Sequence, residues 1–352
     1  MYYLNENIKN TYRVKQNEPR AEYLRLDMNE NPEGLPREFF DEVIKKITPE
    51  LLAMYPEKGN LLELLSKHNH ICKECISLTN GSDEAMRLVF ETFGCEGEKV
   101  LTVTPTFEMY DVYCNMFGMK HVDVSFDGEL QVSVDDVLEL IDEQTNIVVL
   151  LNPNSPIGSA YSVDEMQEII QKAASMGSIV LIDEAYHYFY NKTFINYIND
   201  YDNVLVTRTF SKLCSLAGAR IGYIAGNKTL IEYIENAQST YNVNSIGLLF
   251  AEELLKKPEV IKKLQEIENK GNLYLCNKLK EQGYQFYCKY GNYILIKSKK
   301  ATKEIADLLK KENILIKIYS KGILKDWIRI TTGSVNAMEQ FWNAFIKIDT
   351  II

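Results

Sequence analysis

The chain has 352 residues, 46% of them hydrophobic and 25% charged, with 39 Lys and Arg against 49 Asp and Glu. That length supports a large core and predicts two domains, while a net charge of −10 argues against a nucleic-acid or anionic-membrane partner. The strongest apolar runs, such as residues 147–151, are strand-sized and too short to span a membrane.

Residues 1–30 read as an arm. Met1-Tyr2-Tyr3-Leu4-Asn5-Glu6 has neither a basic start nor a long apolar stretch, so no secretory signal is expected. The arm ends at Leu26-Asp27-Met28-Asn29-Glu30-Asn31-Pro32, with Pro32 and Gly34 as breakers. Phe39, Phe40, Val43, Ile44 and Ile47 recur at helical spacing, as do Leu61, Leu64 and Leu65, with Tyr55-Pro56 in a loop between them. Residues 76–79 form a short strand running into Asn80-Gly81-Ser82-Asp83-Glu84, and the helix that follows carries Ala85, Met86, Val89, Phe90 and Phe93 on one face. A glycine turn opening a helix presents free N–H groups and the positive end of the helix dipole, which suits an anion. Plain capping by Ser82 or Asp83 accounts for the same residues without a ligand.

Residues 99–103 are strand-like and stop at Pro105, with Phe107 and Tyr110 in the loop or helix start beyond. A fully apolar strand over 146–151 leads into Asn152-Pro153-Asn154-Ser155-Pro156-Ile157-Gly158. A helix over 163–174 and a strand over 178–182 follow, ending in Asp183-Glu184-Ala185-Tyr186. Strands alternating with helices predict a mostly parallel sheet covered on both faces, with ligands at the carboxyl ends of its strands. Gly81, Asn154, Asp183 and Lys212 all stand just past such ends. Beyond residue 225 the pattern turns helical over 227–238 and 245–284. A smaller α+β region then ends the chain, with strands at 292–297, 314–318 and 327–332 and a helix at 302–311. The expected division is an arm over 1–35 that joins the small domain, a large domain over 36–240 and a small domain over 241–352. Seven cysteines without framework spacing suit a reducing cytoplasm. Cys72 and Cys75 make a lone CxxC beside His68 and His70, but no structural zinc spacing completes it, so no metal is expected.

The chemistry centres on residues 208–223. A strand over 204–207 delivers Lys212 among the apolar Leu213, Leu216, Ala217 and Ala219, with Ser211 beside it and Arg220 eight residues on. A partly buried amine has a lowered pKa and serves as a nucleophile that forms an imine. A serine hydroxyl and a guanidinium fork suit a phosphate. An imine-forming lysine beside a phosphate site suggests pyridoxal phosphate (PLP), and a solvent-facing surface lysine is the competing reading of this stretch alone. Asp183 closes an apolar strand and needs a partner there, which the pyridinium nitrogen of PLP would supply and which a helix cap or salt bridge would supply equally. Tyr186 could reach the ring oxygen, and Tyr110 could stack on the ring face or simply pack in the core.

Taken together, these stretches resemble the fold-type I, class I/II PLP-dependent aminotransferases, and within them the histidinol-phosphate aminotransferase group. The likeness runs from Asn29-Glu30-Asn31-Pro32 to Arg329-Ile330-Thr331-Thr332-Gly333, with 29 residues from Asp183 to Lys212. The resemblance implies an α/β fold: a large domain with a mostly parallel central sheet and a smaller α+β domain. It implies that Lys212 carries PLP as an imine and then moves the proton as general acid–base, that Asp183 pairs with the pyridinium, and that Tyr186 meets the ring 3-oxygen. Gly81, Ser82, Asp83, Thr209, Ser211 and Arg220 would surround the cofactor phosphate. Tyr55 would reach that phosphate from the second subunit of a homodimer. On the substrate side the resemblance implies Arg329, Lys317, Tyr12 and Asn29.

Two departures stand out. Ser155 occupies the place where the group carries an asparagine, which leaves the 3-oxygen contact to Asn154, ranked first, or to Ser155. Lys317 stands where the group carries an arginine, a point charge in place of a fork. The expected activity is amino transfer between glutamate/2-oxoglutarate and a small phosphorylated amine or amino acid. A PLP-dependent decarboxylase acting on a phosphorylated hydroxy-amino acid, resembling threonine-phosphate decarboxylase, is the alternative.

Overall fold

The structure is a computed structural model that describes Tyr2, residues 4–9, Thr11 and residues 18–350. Twelve strands among the described residues form two sheets: β1 (Leu24–Leu26), β2 (Ile76–Thr79), β3 (Lys99–Thr104), β4 (Lys120–Ser125), β5 (Thr145–Leu151), β6 (Ile179–Asp183), β7 (Val204–Thr209), β8 (Gly222–Gly226), β9 (Phe286–Tyr287), β10 (Tyr293–Lys297), β11 (Ile314–Ile318) and β12 (Trp327–Thr331). The large sheet has the order β2-β8-β7-β6-β5-β3-β4 and the small one β1-β11-β12-β10-β9. In the large sheet only β8 runs against its neighbours.

The apolar runs of β5, β6 and β7 are explained by two covered faces. Alternate side chains divide between two cores. Val148, Leu150, Val180, Ile182, Val204 and Val206 face one, while Ile147, Val149, Leu181 and Leu205 face the other. β4 was not anticipated from the sequence; it lies at the sheet edge, half-exposed, with polar residues interleaved. The helix Val335–Thr350 was likewise missed, and its Met338, Phe341 and Phe345 fill the third core beneath the small sheet.

The register aligns the strand ends that matter. Leu151 pairs with Asp183, and Asp183 with Thr207. The arm reaches this edge because β1 pairs in parallel with β11, burying Leu26. Arg20 bridges Asp27 at 2.5 Å and Glu30 at 3.0 Å, fixing the turn in which Asn29 adopts φ 58°. The helices Ser245–Lys256 and Pro258–Glu281 connect the two bodies. Phe250, Ala251, Leu254, Ile261 and Leu264 pack in the core of the large sheet, and Leu275 and Leu279 in that of the small one.

Candidate active site

At the carboxyl ends of β5, β6 and β7 a cavity of about 200 Å³ opens between Asp183, Tyr186, Lys212, Arg220, Ser155 and Phe107. A larger groove of about 420 Å³ lies against Lys73, Glu74 and Ile76, at the start of β2 and away from these residues. Thr209, Ser211, Ser82 and Asp83 complete one end of the smaller cavity. There the helix Gly81–Phe93 begins with no side-chain cap on its N–H groups, so the capping alternative for Ser82 and Asp83 is not taken up. The Asp83 carboxylate instead accepts from the Tyr113 hydroxyl at 2.8 Å. Arg220 donates through Nη2 to the Asn80 carbonyl at 3.1 Å, and Thr209 Oγ1 donates to Ser211 Oγ at 2.8 Å. Uncapped N–H groups, two hydroxyls and a guanidinium are the donor set a phosphate monoester requires.

Asp183 forms the opposite wall and is 1% exposed. Its Oδ2 accepts from the Tyr110 hydroxyl at 2.8 Å and its Oδ1 from the Ala185 N–H at 3.0 Å. Burial raises its pKa to about 6, against the opposing pull of Tyr110, Ala185 and Lys212. A carboxylate in that state lacks a close cation, and a protonated pyridine nitrogen provides one. The half-buried Lys212 donates from Nζ to the Met28 carbonyl at 3.2 Å and lies 5.5 Å from the centre of the Tyr186 ring. The Tyr186 hydroxyl accepts from Asn29 Nδ2 at 2.8 Å. Burial opposes a phenolate at Tyr186, but Lys212, Arg329 and hydrogen bonds from Ser155 and Asn29 outweigh it and lower the pKa.

Arg329 is 9% exposed. Its Nη2 donates to the Asp27 carbonyl at 2.7 Å, its Nη1 to Ser155 Oγ at 3.4 Å, and its Nε has no partner. No carboxylate among the described residues pairs with it. Arg208 is the contrast, also buried but bound to Glu184 at 2.7 Å. A buried guanidinium with only neutral partners suits an anion, although Arg329 is not among the residues that line the cavity. Lys317 stands opposite Arg329 in the β11–β12 register, and its Nζ meets Glu108 Oε1 at 3.3 Å.

Several residues sit differently from the sequence reading. Tyr110 does not line the cavity: it is fully buried, with its hydroxyl spent on Asp183, because the helix Met109–Phe117 turns it inward. Phe107, just before that helix, lines the cavity and meets Tyr110 edge-on at 5.9 Å. Asn154 turns back on its own loop, accepting from the Ile157 N–H at 3.2 Å and donating to the Pro105 carbonyl at 3.4 Å. Ser155, ranked second from the sequence, is the one of the pair that faces the cavity. Asn29 is 1% exposed and joins the arm to Tyr186 and to Thr331 of β12. Tyr55 is 72% exposed and stacks on Tyr241 at 4.2 Å, away from the cavity of its own chain. Tyr12 lies outside the described residues.

A lysine, a buried aspartate and a set of phosphate-suited donors at the carboxyl ends of a mostly parallel sheet fit a PLP-dependent enzyme of fold-type I. Residues 21–345 match the family described as aminotransferase class I and II, and the chain belongs to that family. It is a PLP-dependent aminotransferase. A histidinol-phosphate aminotransferase of Caldanaerobacter subterraneus is 31% identical over 329 residues, covering 92% of each chain. The structure of histidinol-phosphate aminotransferase from Sinorhizobium meliloti in complex with pyridoxal-5'-phosphate superposes with a TM-score of 0.88 at 19% identity, over 99% of this chain and 98% of that one. L-threonine-O-3-phosphate decarboxylase from Porphyromonas gingivalis shares the fold, with a TM-score of 0.78 at 20% identity over 92% and 98% of the two chains.

Proposed function

We propose that this aminotransferase moves an amino group between glutamate/2-oxoglutarate and a small phosphorylated amine of the histidinol-phosphate kind. The observation that carries the reading is Arg329, a buried cation with no acid partner among the described residues, bonded to Ser155 and close enough to Tyr186 to lower its pKa. Its fork grips the α-carboxylate of glutamate in one half-reaction and the phosphate-bearing arm of the amine in the other. Lys317, opposite it in register, adds a second positive charge. The relatives at 31% identity are aminotransferases by name, which favours amino transfer over decarboxylation.

When bound, PLP supplies the electron sink that stabilises negative charge at the substrate α-carbon. Lys212 would hold the cofactor, and its amine would serve as the general base that takes the proton from that carbon. The Asp183 carboxylate would keep the ring nitrogen protonated. Tyr186 and Ser155 would hold the 3-oxygen, Phe107 would cover the ring face, and Arg220, Thr209, Ser211 and the first turn of the helix Gly81–Phe93 would hold the phosphate. Asn29 positions Tyr186. We infer that the active unit is a homodimer in which Tyr55 completes the partner's phosphate cup. The exposed Leu52, Met54, Tyr55, Tyr241 and Ile246 support a buried face there. We place the domain boundary within the helix Pro258–Glu281, where packing passes from one core to the other, rather than at residue 241. Seven cysteines without a disulfide support a cytoplasmic setting.

A half-reaction screen tests the function. The cofactor spectrum is followed as glutamate, then histidinol phosphate, is added to the holoenzyme. Conversion by both is expected. Reaction with glutamate but with no phosphorylated amine would remove the substrate assignment, and carbon dioxide release from threonine phosphate would move the protein to the decarboxylase alternative.

A further inference from the structure

Glu108 immediately precedes the helix Met109–Phe117, yet its carboxylate caps no backbone N–H there. It reaches Lys317 Nζ on the small sheet at 3.3 Å. Phe107, next to it in sequence, lines the cofactor cavity. Lys317 and Arg329 are direct cross-strand partners, so their side chains leave the same face of the sheet. The carboxylate therefore sits on one of two neighbouring cations at the substrate end of the site. It is held loosely, since the side chains of Lys317 and Glu108 are 37% and 70% exposed, and exposed pairs of this kind exchange readily with competing ions.

We propose that Glu108 is a specificity-determining residue: it occupies the Lys317 ammonium, and an anionic substrate group must displace it to bind. The proposal rests on the reading of Lys317 as a phosphate cation given above. A phosphate dianion that takes Lys317 meets a displaced carboxylate nearby, and the repulsion is about twice that felt by a singly charged carboxylate. Glu108 thus weakens binding of phosphorylated amines more than that of carboxylate donors.

The test uses the holoenzyme with histidinol phosphate and with glutamate as probes, in wild type, Glu108→Gln, Lys317→Gln and the double variant. Glu108→Gln is expected to lower KM for histidinol phosphate roughly two- to fivefold, with kcat changed less than about twofold, and to lower KM for glutamate by less. The effect shrinks in high salt. In the Lys317→Gln background, where the carboxylate has no ammonium to occupy and only its direct repulsion remains, Glu108→Gln gives a smaller drop. If Lys317→Gln raises KM for histidinol phosphate while Glu108→Gln leaves it unchanged or raises it, competition by Glu108 is refuted and the phosphate role of Lys317 stands. If Lys317→Gln changes nothing, the phosphate reading itself falls, and this inference with it.

Discussion

Arg329 and Arg208 are both buried, yet they make opposite predictions. Arg208 is 4% exposed; it contacts Glu184 at 2.7 Å and donates to Asn69 at 2.6 Å and to Thr193 at 2.6 Å. Arg208→Gln leaves Glu184 buried without its cation, which should cost about 3–5 kcal/mol of stability. Arg329 has no acid partner, so Arg329→Gln removes a buried charge that nothing neutralises, and stability should change by less than about 1 kcal/mol or rise. Activity should reverse the order. A carboxylate gripped by the guanidinium makes charge-assisted bonds of about 1.5–3 kcal/mol each. Losing two of them lowers kcat/KM for glutamate by roughly two to four decades. The assays are thermal melting of the protein without cofactor and single-turnover kinetics with glutamate. If Arg329→Gln melts as far below wild type as Arg208→Gln, with less than a tenfold loss in kcat/KM, Arg329 is a structural residue and the anion-site argument fails.

Lys212→Ala should abolish the yellow imine absorbance, and a borohydride-reducible PLP adduct surviving in that variant would refute its role. Mixing Tyr55→Phe subunits with Lys212→Ala subunits should restore activity in the mixed dimer, which regains one site with both residues; no recovery after verified exchange counts against shared sites. Asp183 has a folded pKa near 6, above its ordinary value. Its contribution to stability is therefore present at acid pH and lost as pH rises from about 4 to about 6. Asp183→Asn should accordingly stabilise the cofactor-free protein at pH 8, by on the order of 2–3 kcal/mol at most, yet weaken PLP binding. Loss of stability together with unchanged PLP affinity would contradict this. Phe107→Ala should weaken PLP binding more than Tyr110→Phe, measured by cofactor titration; the reverse order would restore the ring-stacking role to Tyr110.

The sequence carried the strands that end at the site because their apolar runs are a local signal, forced by two covered faces. It carried Lys212, Asp183 and Arg220 because each is a charged residue at the end or beyond the end of such a run. It did not carry the choice between neighbours. Whether Asn154 or Ser155 faces the cavity depends on whether the asparagine amide is already engaged by its own loop, and the Ile157 N–H engages it. Tyr110 and Phe107 were separable only by where the helix Met109–Phe117 starts, since a helix that begins at 109 turns Tyr110 toward Asp183 and leaves Phe107 outside. The one available signal for Phe107 was an aromatic two residues after the strand-ending Pro105. Asn29 was legible only through family resemblance, because its partners, Tyr186 and Thr331, lie 157 and 302 residues away.

The phosphate cup shows how such distant stretches constrain one another. Gly81 has φ +75°, and a Cβ there would lie 2.7 Å from Arg220 Nη2. Gly222 opens β8, and a Cβ there would lie 2.9 Å from the Gly81 carbonyl carbon and 3.0 Å from the Ser82 nitrogen. Arg220 itself adopts φ 51°, a left-handed conformation uncommon in a residue with a side chain. The turn between β7 and β8 is thus bent so that the guanidinium lies against the helix N-terminus, and both glycines are required for the approach. An alanine at either position must push Arg220 or the first turn outward, and the donors that serve the phosphate would then separate. The glycines at 81 and 222 would therefore serve the proposed phosphate site through the room they leave for Arg220 and the helix N-terminus.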